Sequence, residues 1–196
     1  EAAARFAALA HGTAFALPQE KFELLSSFIL DGEQWMVVDG RFDYSAYGRG
    51  IANPNLSAGF ARLIMACERM AEADPGREAE YAAFLKRLRG DADAKPLVGN
   101  RSFWRSDYMA HRRPDFFASV RMTSPRVRLV ERGVGSNMRG EFLSDGVTFF
   151  QRTGKEYDGI FPVWDWRRLP GITSEQKSEP PLVPSAKDRY GERDYA

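Results

Sequence analysis

The 196-residue sequence predicts an α+β chain, helical to about residue 90 and built of strands beyond it. Three observations carry that reading. Apolar residues recur at three- and four-residue spacing through the first half, the spacing that puts them on one face of a helix. The polar stretch GDADAKP, residues 90–96, with glycine and proline at its ends, reads as a linker. Beyond it apolar and polar residues alternate, the two-residue period of a strand.

The helices have legible punctuation. Phe6 and Leu9 share a face before Gly12, and Pro18 opens a second helix whose Phe22, Leu25, Phe28 and Ile29 recur at helical spacing until Gly32. Ser57 is placed to cap a third helix that buries Phe60, Leu63, Ile64 and Cys67. Asp74 and Pro75 read as N-cap and first position of a fourth, with Tyr81, Leu85 and Leu88 as its stripe and Gly90 as its end. Four helices with such apolar faces need partners and suit part of a larger helical array better than a closed bundle.

Beyond the linker, Phe116, Ala118, Val120 and Met122 alternate with Phe117, Ser119, Arg121 and Thr123, and RVRLV at 126–130 alternates again. Gly133 and Gly135 mark a turn, and GVTFFQRTG supplies a further strand bounded by Gly146 and Gly154. NRSFWRSDYMAHRRPDFFASVRM, residues 100–122, is dense in arginine and aromatics, and spacing and charge favour edge strands of a large sheet over a nucleic-acid or sugar-binding surface. Residues 173–196 are rich in proline and charge and read as an extended connection or disordered end.

Composition narrows the partners. Lysine and arginine total 28 against 27 acids, a net charge of +1, so no overall field draws the chain to nucleic acid or an acidic membrane. A hydrophobic content of 43% is enough for a core. No run reaches the roughly 20 apolar residues that span a bilayer. The single cysteine, Cys67, excludes an internal disulfide and falls on a helix stripe where a buried thiol fits. The chain opens on Glu1 inside a helix-like EAAARFAALAHG, which suggests a piece of something longer.

His11 and His111 lack neighbours at ligand spacing, so no metal site is predicted, and no P-loop, dinucleotide fingerprint or nucleophile elbow implies a cofactor. His11 sits where a helix ends and His111 reads as a solvated strand end. DYSAYGRGIANPN, residues 43–55, sets Arg49 between two glycines, where a backbone could bring a guanidinium close to a carboxylate. The residues leave that reading and an ordinary turn equally open. VGSNMRGEFLSDG, residues 134–146, presents Ser136, Asn137 and Arg139 on what is usually a hairpin turn. Trp164 and Trp166 beside Arg167 and Arg168 suit packing inside the fold better than sugar stacking.

Taken together and in order, HGTAFALPQEKFELLSSFILDGEQWMVVDGRFDYSAYGR, NRSFWRSDYMAHRRPDFFASVRMTSPRV, SDGVTFF and FPVWDWRRLPGIT resemble the middle of polysaccharide lyase family 8, the hyaluronate, chondroitin AC and xanthan lyases. The resemblance implies the last helices of an α/α toroid over residues 1–92, followed by the first antiparallel strands of a β-supersandwich over 93–196. It also implies a secreted or periplasmic protein, a cleft for an acidic, uronate-containing polysaccharide, and β-elimination as the reaction. In the family an asparagine neutralises the substrate carboxylate, and arginine and glutamate help to position sugar and tyrosine. Arg49 is then the expected catalytic residue, in contact with the substrate carboxylate or with the tyrosine, and Asn53, Ser136 and Asn137 are the expected substrate contacts. Two positions depart from the family pattern: Asn53 stands where a second arginine is expected and Ser136 where a glutamate is. The histidine and tyrosine that move protons in the family belong just upstream of RFAALAHGTAFAL, so the remainder of a parent chain is an expected partner and this piece alone is expected to be inactive. The alternative is a non-catalytic glycan-binding or scaffold protein on the same fold.

Overall fold

The computed structural model of the chain describes residues 1–51, 57–127, 137–176 and 178. It is mixed α+β, with four helices preceding a four-stranded antiparallel sheet. The chain divides into two units: Glu1–Phe42 with Asn55–Leu97, and Asp43–Pro54 with Val98–Ala196.

The first unit is helical. It contains α1 (Ala2–Ala10), α2 (Gln19–Ser27), α3 (Ser57–Ala73) and α4 (Glu78–Arg89). Leu63, Cys67 and Met70 of α3 form the middle of its core with Phe22, Ile29, Leu30, Tyr81, Phe84, Leu85 and Leu88. Cys67 is fully buried, and burial pushes its thiol up to about 12, the state of an inert packing group. After α2 the chain tightens through a wide turn at Phe28–Gly32 and a narrow one at Glu33–Met36. A two-stranded ribbon follows, β1 (Val37–Val38) and β2 (Arg41–Phe42), turned by Asp39 and Gly40, both at positive φ as a two-residue hairpin requires.

Three helical expectations are corrected. Phe28, expected on the apolar stripe of the second helix, lies just past the end of α2 at Ser27 and is 61% exposed. Phe6 and Leu9 of α1 are 52% and 73% exposed, and the buried stripe is Ala4, Ala7 and Ala10. Small residues let α1 lie close against α3, and dispersion between closely packed surfaces outweighs the larger but outward side chains. The fourth helix begins at Glu78, three residues beyond Pro75. The Asp74 carboxylate accepts the Ser26 hydroxyl at 2.7 Å, so it is engaged across the core and caps no helix, while Ser26 also meets the Tyr81 hydroxyl at 2.9 Å. The end of α4 is as expected: Gly90 adopts φ 72°, and Asp91 N–H closes on Lys86 O at 3.0 Å. The Ser57 side chain lies outside the described residues, as do residues 128–136, which hold most of RVRLV and the Gly133–Gly135 turn.

The second unit is built on β3 (Gly99–Phe103), β4 (Tyr108–Arg113), β5 (Phe116–Arg121) and β6 (Val147–Gln151), paired in chain order. Gly146 and Gly154 do bound the last strand, as expected. One face of the sheet carries Tyr108 and Ala110, Phe117 and Ser119, and Val147, Phe149 and Gln151, all buried. The arginine-rich stretch forms β3 to β5, and cations in it serve the fold: Arg105 lies 5.1 Å from the Trp104 ring and Arg112 5.1 Å from the Phe117 ring. Just beyond the stretch, Arg126 pairs with Asp107 at 2.5 Å and holds the Trp104 carbonyl at 3.2 Å.

Past β6, the chain returns to pair with it, Thr148 N–H donating to Pro170 O at 2.9 Å. The approach requires glycine. Gly171 has φ +86°, and a Cβ there would fall 2.5 Å from both the Gly146 carbonyl and the Thr148 hydroxyl. Gly171→Ala is therefore expected to destabilise the chain by about 3 kcal/mol, backbone strain and overpacking together. Gly159→Ala, also at positive φ but with open space around it, is expected to cost only the strain, about 1 kcal/mol. Equal shifts of the two urea midpoints would contradict this account.

Candidate functional site

The loop from Asp43 to Ile51 is made of successive tight turns. Ala46 N–H bonds Asp43 O at 2.9 Å, Tyr47 bonds Tyr44 O at 3.3 Å, Gly50 bonds Tyr47 O at 3.0 Å and Ile51 bonds Gly48 O at 3.2 Å. Gly48, at φ 52°, permits the change of direction between the two short helical turns. Arg49 emerges exposed between the glycines, with Asp43, Tyr44 and Ser45 buried on one side of it in sequence and Ile51 buried on the other.

Three kinds of contact fasten this loop to the sheet of its own unit. The Tyr108 hydroxyl of β4 donates to Asp43 Oδ2 at 3.1 Å. Arg121 Nη1 of β5 donates to the Ser45 carbonyl at 3.0 Å. The Tyr44 ring enters an aromatic cluster, with centroids 5.5 Å from Phe149, 5.5 Å from Tyr157 and 5.0 Å from Phe161. Trp164 and Trp166 extend that cluster, 5.4 Å from each other, so both serve packing. Arg167 beside them pairs with Asp165 at 2.9 Å.

Asp43 is 0% exposed, and burial lifts its carboxyl to about 6; the Ser119 and Tyr108 hydroxyls and the Ser45 and Tyr44 amides pull in the other direction. Its ordinary value is 3.8, so the folded chain holds the proton more tightly than the unfolded one. The stability contributed by this group is complete below about pH 4 and is lost as pH rises through about 6, amounting to about 3 kcal/mol. Asp43→Asn is expected to flatten the fall in stability between pH 4 and 7, read as urea midpoints of the two chains across that window. Parallel profiles would refute the assignment.

Of the four residues expected from the sequence, two are described. Arg49 is exposed on its loop, and Asn137 is 8% exposed in the left-handed region at φ 52°, which asparagine tolerates. Gly140 approaches the Asn137 carboxamide so closely that any Cβ there would collide with its oxygen, which accounts for glycine at that position. Asn53 and Ser136 lie outside the described residues. His11 packs against the Phe22 ring at 5.7 Å, and His111 stacks on Phe116 at 5.6 Å while meeting Asn100 Nδ2 at 3.2 Å. Among the described residues no three His, Cys, Asp or Glu gather as a metal site, and no helix is long and apolar enough to cross a membrane. Sequence reasoning missed Asp43, Tyr108 and Arg121, since no local pattern pairs residues 65 positions apart.

Residues 98–195 match the family model for polysaccharide lyase family 8, super-sandwich domain. Chondroitinase-AC of Pedobacter heparinus is 32% identical over 194 residues, covering 94% of this chain and 26% of that protein. Hyaluronate lyase of Thermasporomyces composti is 34% identical over 94 residues, 44% of this chain and 12% of that one. A chondroitinase AC lyase solved with oligosaccharides superposes with a TM-score of 0.85 at 30% identity, over 96% of this chain and 28% of its own. A chondroitin AC lyase of Streptomyces coelicolor in complex with chondroitin sulphate shares the fold, with a TM-score of 0.70 at 24% identity, over 91% of this chain and 30% of its own. The chain thus spans about a quarter of the length of the chondroitinases it matches. With half of its residues on the family model and the helices preceding them aligned to a chondroitinase as well, the chain belongs to polysaccharide lyase family 8.

Proposed function

We propose that these residues are part of a lyase that cleaves an acidic, uronate-containing polysaccharide by β-elimination. The reaction breaks the C5–H bond of the uronate, forms a double bond between C4 and C5, and expels the oxygen at C4, which takes up a proton. Its difficulty is the poor acidity of C5–H beside an ionised carboxylate. A guanidinium held against that carboxylate offsets its charge and steadies the negative charge that develops as the proton leaves. The carrying observation is Arg49, exposed between two glycines on a loop whose neighbouring residues are buried in the sheet unit. In this reading Asn53, Ser136 and Asn137 contact the sugar, and the protein acts outside the cytoplasm, where such polymers are found. Groups that move the protons come from the remainder of a longer chain.

The 196 residues alone are expected to show no elimination on hyaluronan, chondroitin or xanthan, followed by the ultraviolet absorbance of the new double bond. The longer protein that carries them is expected to turn over at least one of the three. Robust turnover by the isolated chain would remove the need for outside proton-transfer groups. Saturable binding without turnover by the longer protein would favour a non-catalytic glycan binder, a reading supported by the amide at Asn53 and the hydroxyl at Ser136 where the family pattern carries charge.

A further inference from the structure

We propose that Asp43 and Tyr108 are positioning residues for Arg49: their buried hydrogen bond fixes where the guanidinium stands without either residue touching the sugar. This rests on the assignment of Arg49 to the substrate carboxylate.

Asp43 lies six residues before Arg49, and four successive turn hydrogen bonds connect the intervening backbone. Movement at Asp43 is therefore transmitted along a stiff segment. Its carboxyl is held by the Tyr108 hydroxyl, and the next turn is held by Arg121 on the Ser45 carbonyl. The groups facing Asp43 are the Tyr108 phenol and, beyond it, Arg112 on β4, the Ser119 hydroxyl on β5, and the Tyr157 phenol after β6. Burial, reinforced by Asp43, keeps the Tyr108 phenol protonated well above its usual range, so it remains a donor throughout the working pH range.

The same arrangement couples the loop to pH. Releasing the loop hydrates Asp43 and returns its carboxyl to the ordinary range near 3.8, whereas the seated loop holds the proton to about 6. The ratio of seated to released loop then falls as pH rises between those values, by up to about 100-fold. A released fraction raises KM in inverse proportion to the seated fraction, while kcat persists because bound substrate selects the seated form. That split distinguishes a positioning residue from one in contact with the reacting sugar.

The test uses the longer protein that carries these residues, assayed on chondroitin, hyaluronan and xanthan. Tyr108→Phe, which keeps the ring and removes the donor, is expected to raise KM at pH 7 about tenfold and leave kcat within about twofold. Asp43→Asn is expected to abolish the rise in wild-type KM between pH 5 and 7. Urea midpoints measured alongside separate loss of fold from loss of position: a lowered midpoint with wild-type KM and an unchanged pH profile overturns the positioning role. Impairment by Arg49→Ala with no effect of either other variant on KM overturns it too, while leaving the lyase reading intact. A longer protein that neither binds nor cleaves any of the three polymers overturns both.

Discussion

Arg49→Ala in the longer protein is expected to lower kcat/KM on its preferred uronate polymer by about 100-fold or more, on the order of 3 kcal/mol of transition-state stabilisation. The argument is electrostatic. The substrate carboxylate gains a second negative charge on the adjacent carbon as C5–H breaks, and a planar guanidinium can meet both carboxylate oxygens at once. Part of the loss should fall on kcat, because the interaction strengthens as charge develops. Arg49→Lys retains the charge but not the fork and should recover only part of the rate, leaving a deficit of about tenfold. Steady-state kinetics of the three proteins decide the matter: alanine and wild type agreeing within about threefold would remove Arg49 from the reaction.

Tyr44→Ala is expected to be the most damaging of the stability changes, costing about 3–5 kcal/mol in the 196-residue chain. The ring is buried against Phe149, Tyr157 and Phe161, so truncation leaves a cavity that three large neighbours cannot readily close. Phe150→Ala removes a ring of similar size from the opposite face of β6, where the residue is 48% exposed, and should cost about 1 kcal/mol. Urea midpoints measure both. Hydrogen exchange adds a local reading: the amides of Ala46, Tyr47, Gly50 and Ile51, all donors in the turns of the loop, should lose protection in Tyr44→Ala. A Tyr44→Ala chain as stable as Phe150→Ala would mean that the aromatic cluster does not hold the loop.

Where local chemistry settled a feature, the sequence disclosed it. Gly90 ends α4 because only a left-handed residue closes that turn at little cost. The strand between Gly146 and Gly154 follows from alternation bounded by breakers. Cys67 is buried because it recurs at helical spacing with Leu63 and Met70. The failures have physical causes of another kind. In α1, hydrophobicity pointed to Phe6 and Leu9, but the contact with α3 rewards close approach, which alanine provides and Phe6 prevents. Asp74 carries every mark of an N-cap, yet its oxygen is taken by Ser26, 48 residues earlier. Alternation along Phe116–Thr123 gave two faces without showing that Phe117 and Ser119 turn inward. The candidate site divides in the same way: the glycines around Arg49 were legible, and the groups that seat its loop were not.

The sequence by itself determined where the helical period gives way to the strand period, which glycines end elements, and the family resemblance that the comparisons bear out. Only the tertiary structure decided that the Arg49 loop belongs with the sheet unit, and that a buried carboxyl and phenol hold it there. Periodicity and turn chemistry arise between neighbours along the chain, so they can be read from order alone. Burial, desolvation and the pairing of Asp43 with Tyr108 arise between residues that become neighbours only after folding.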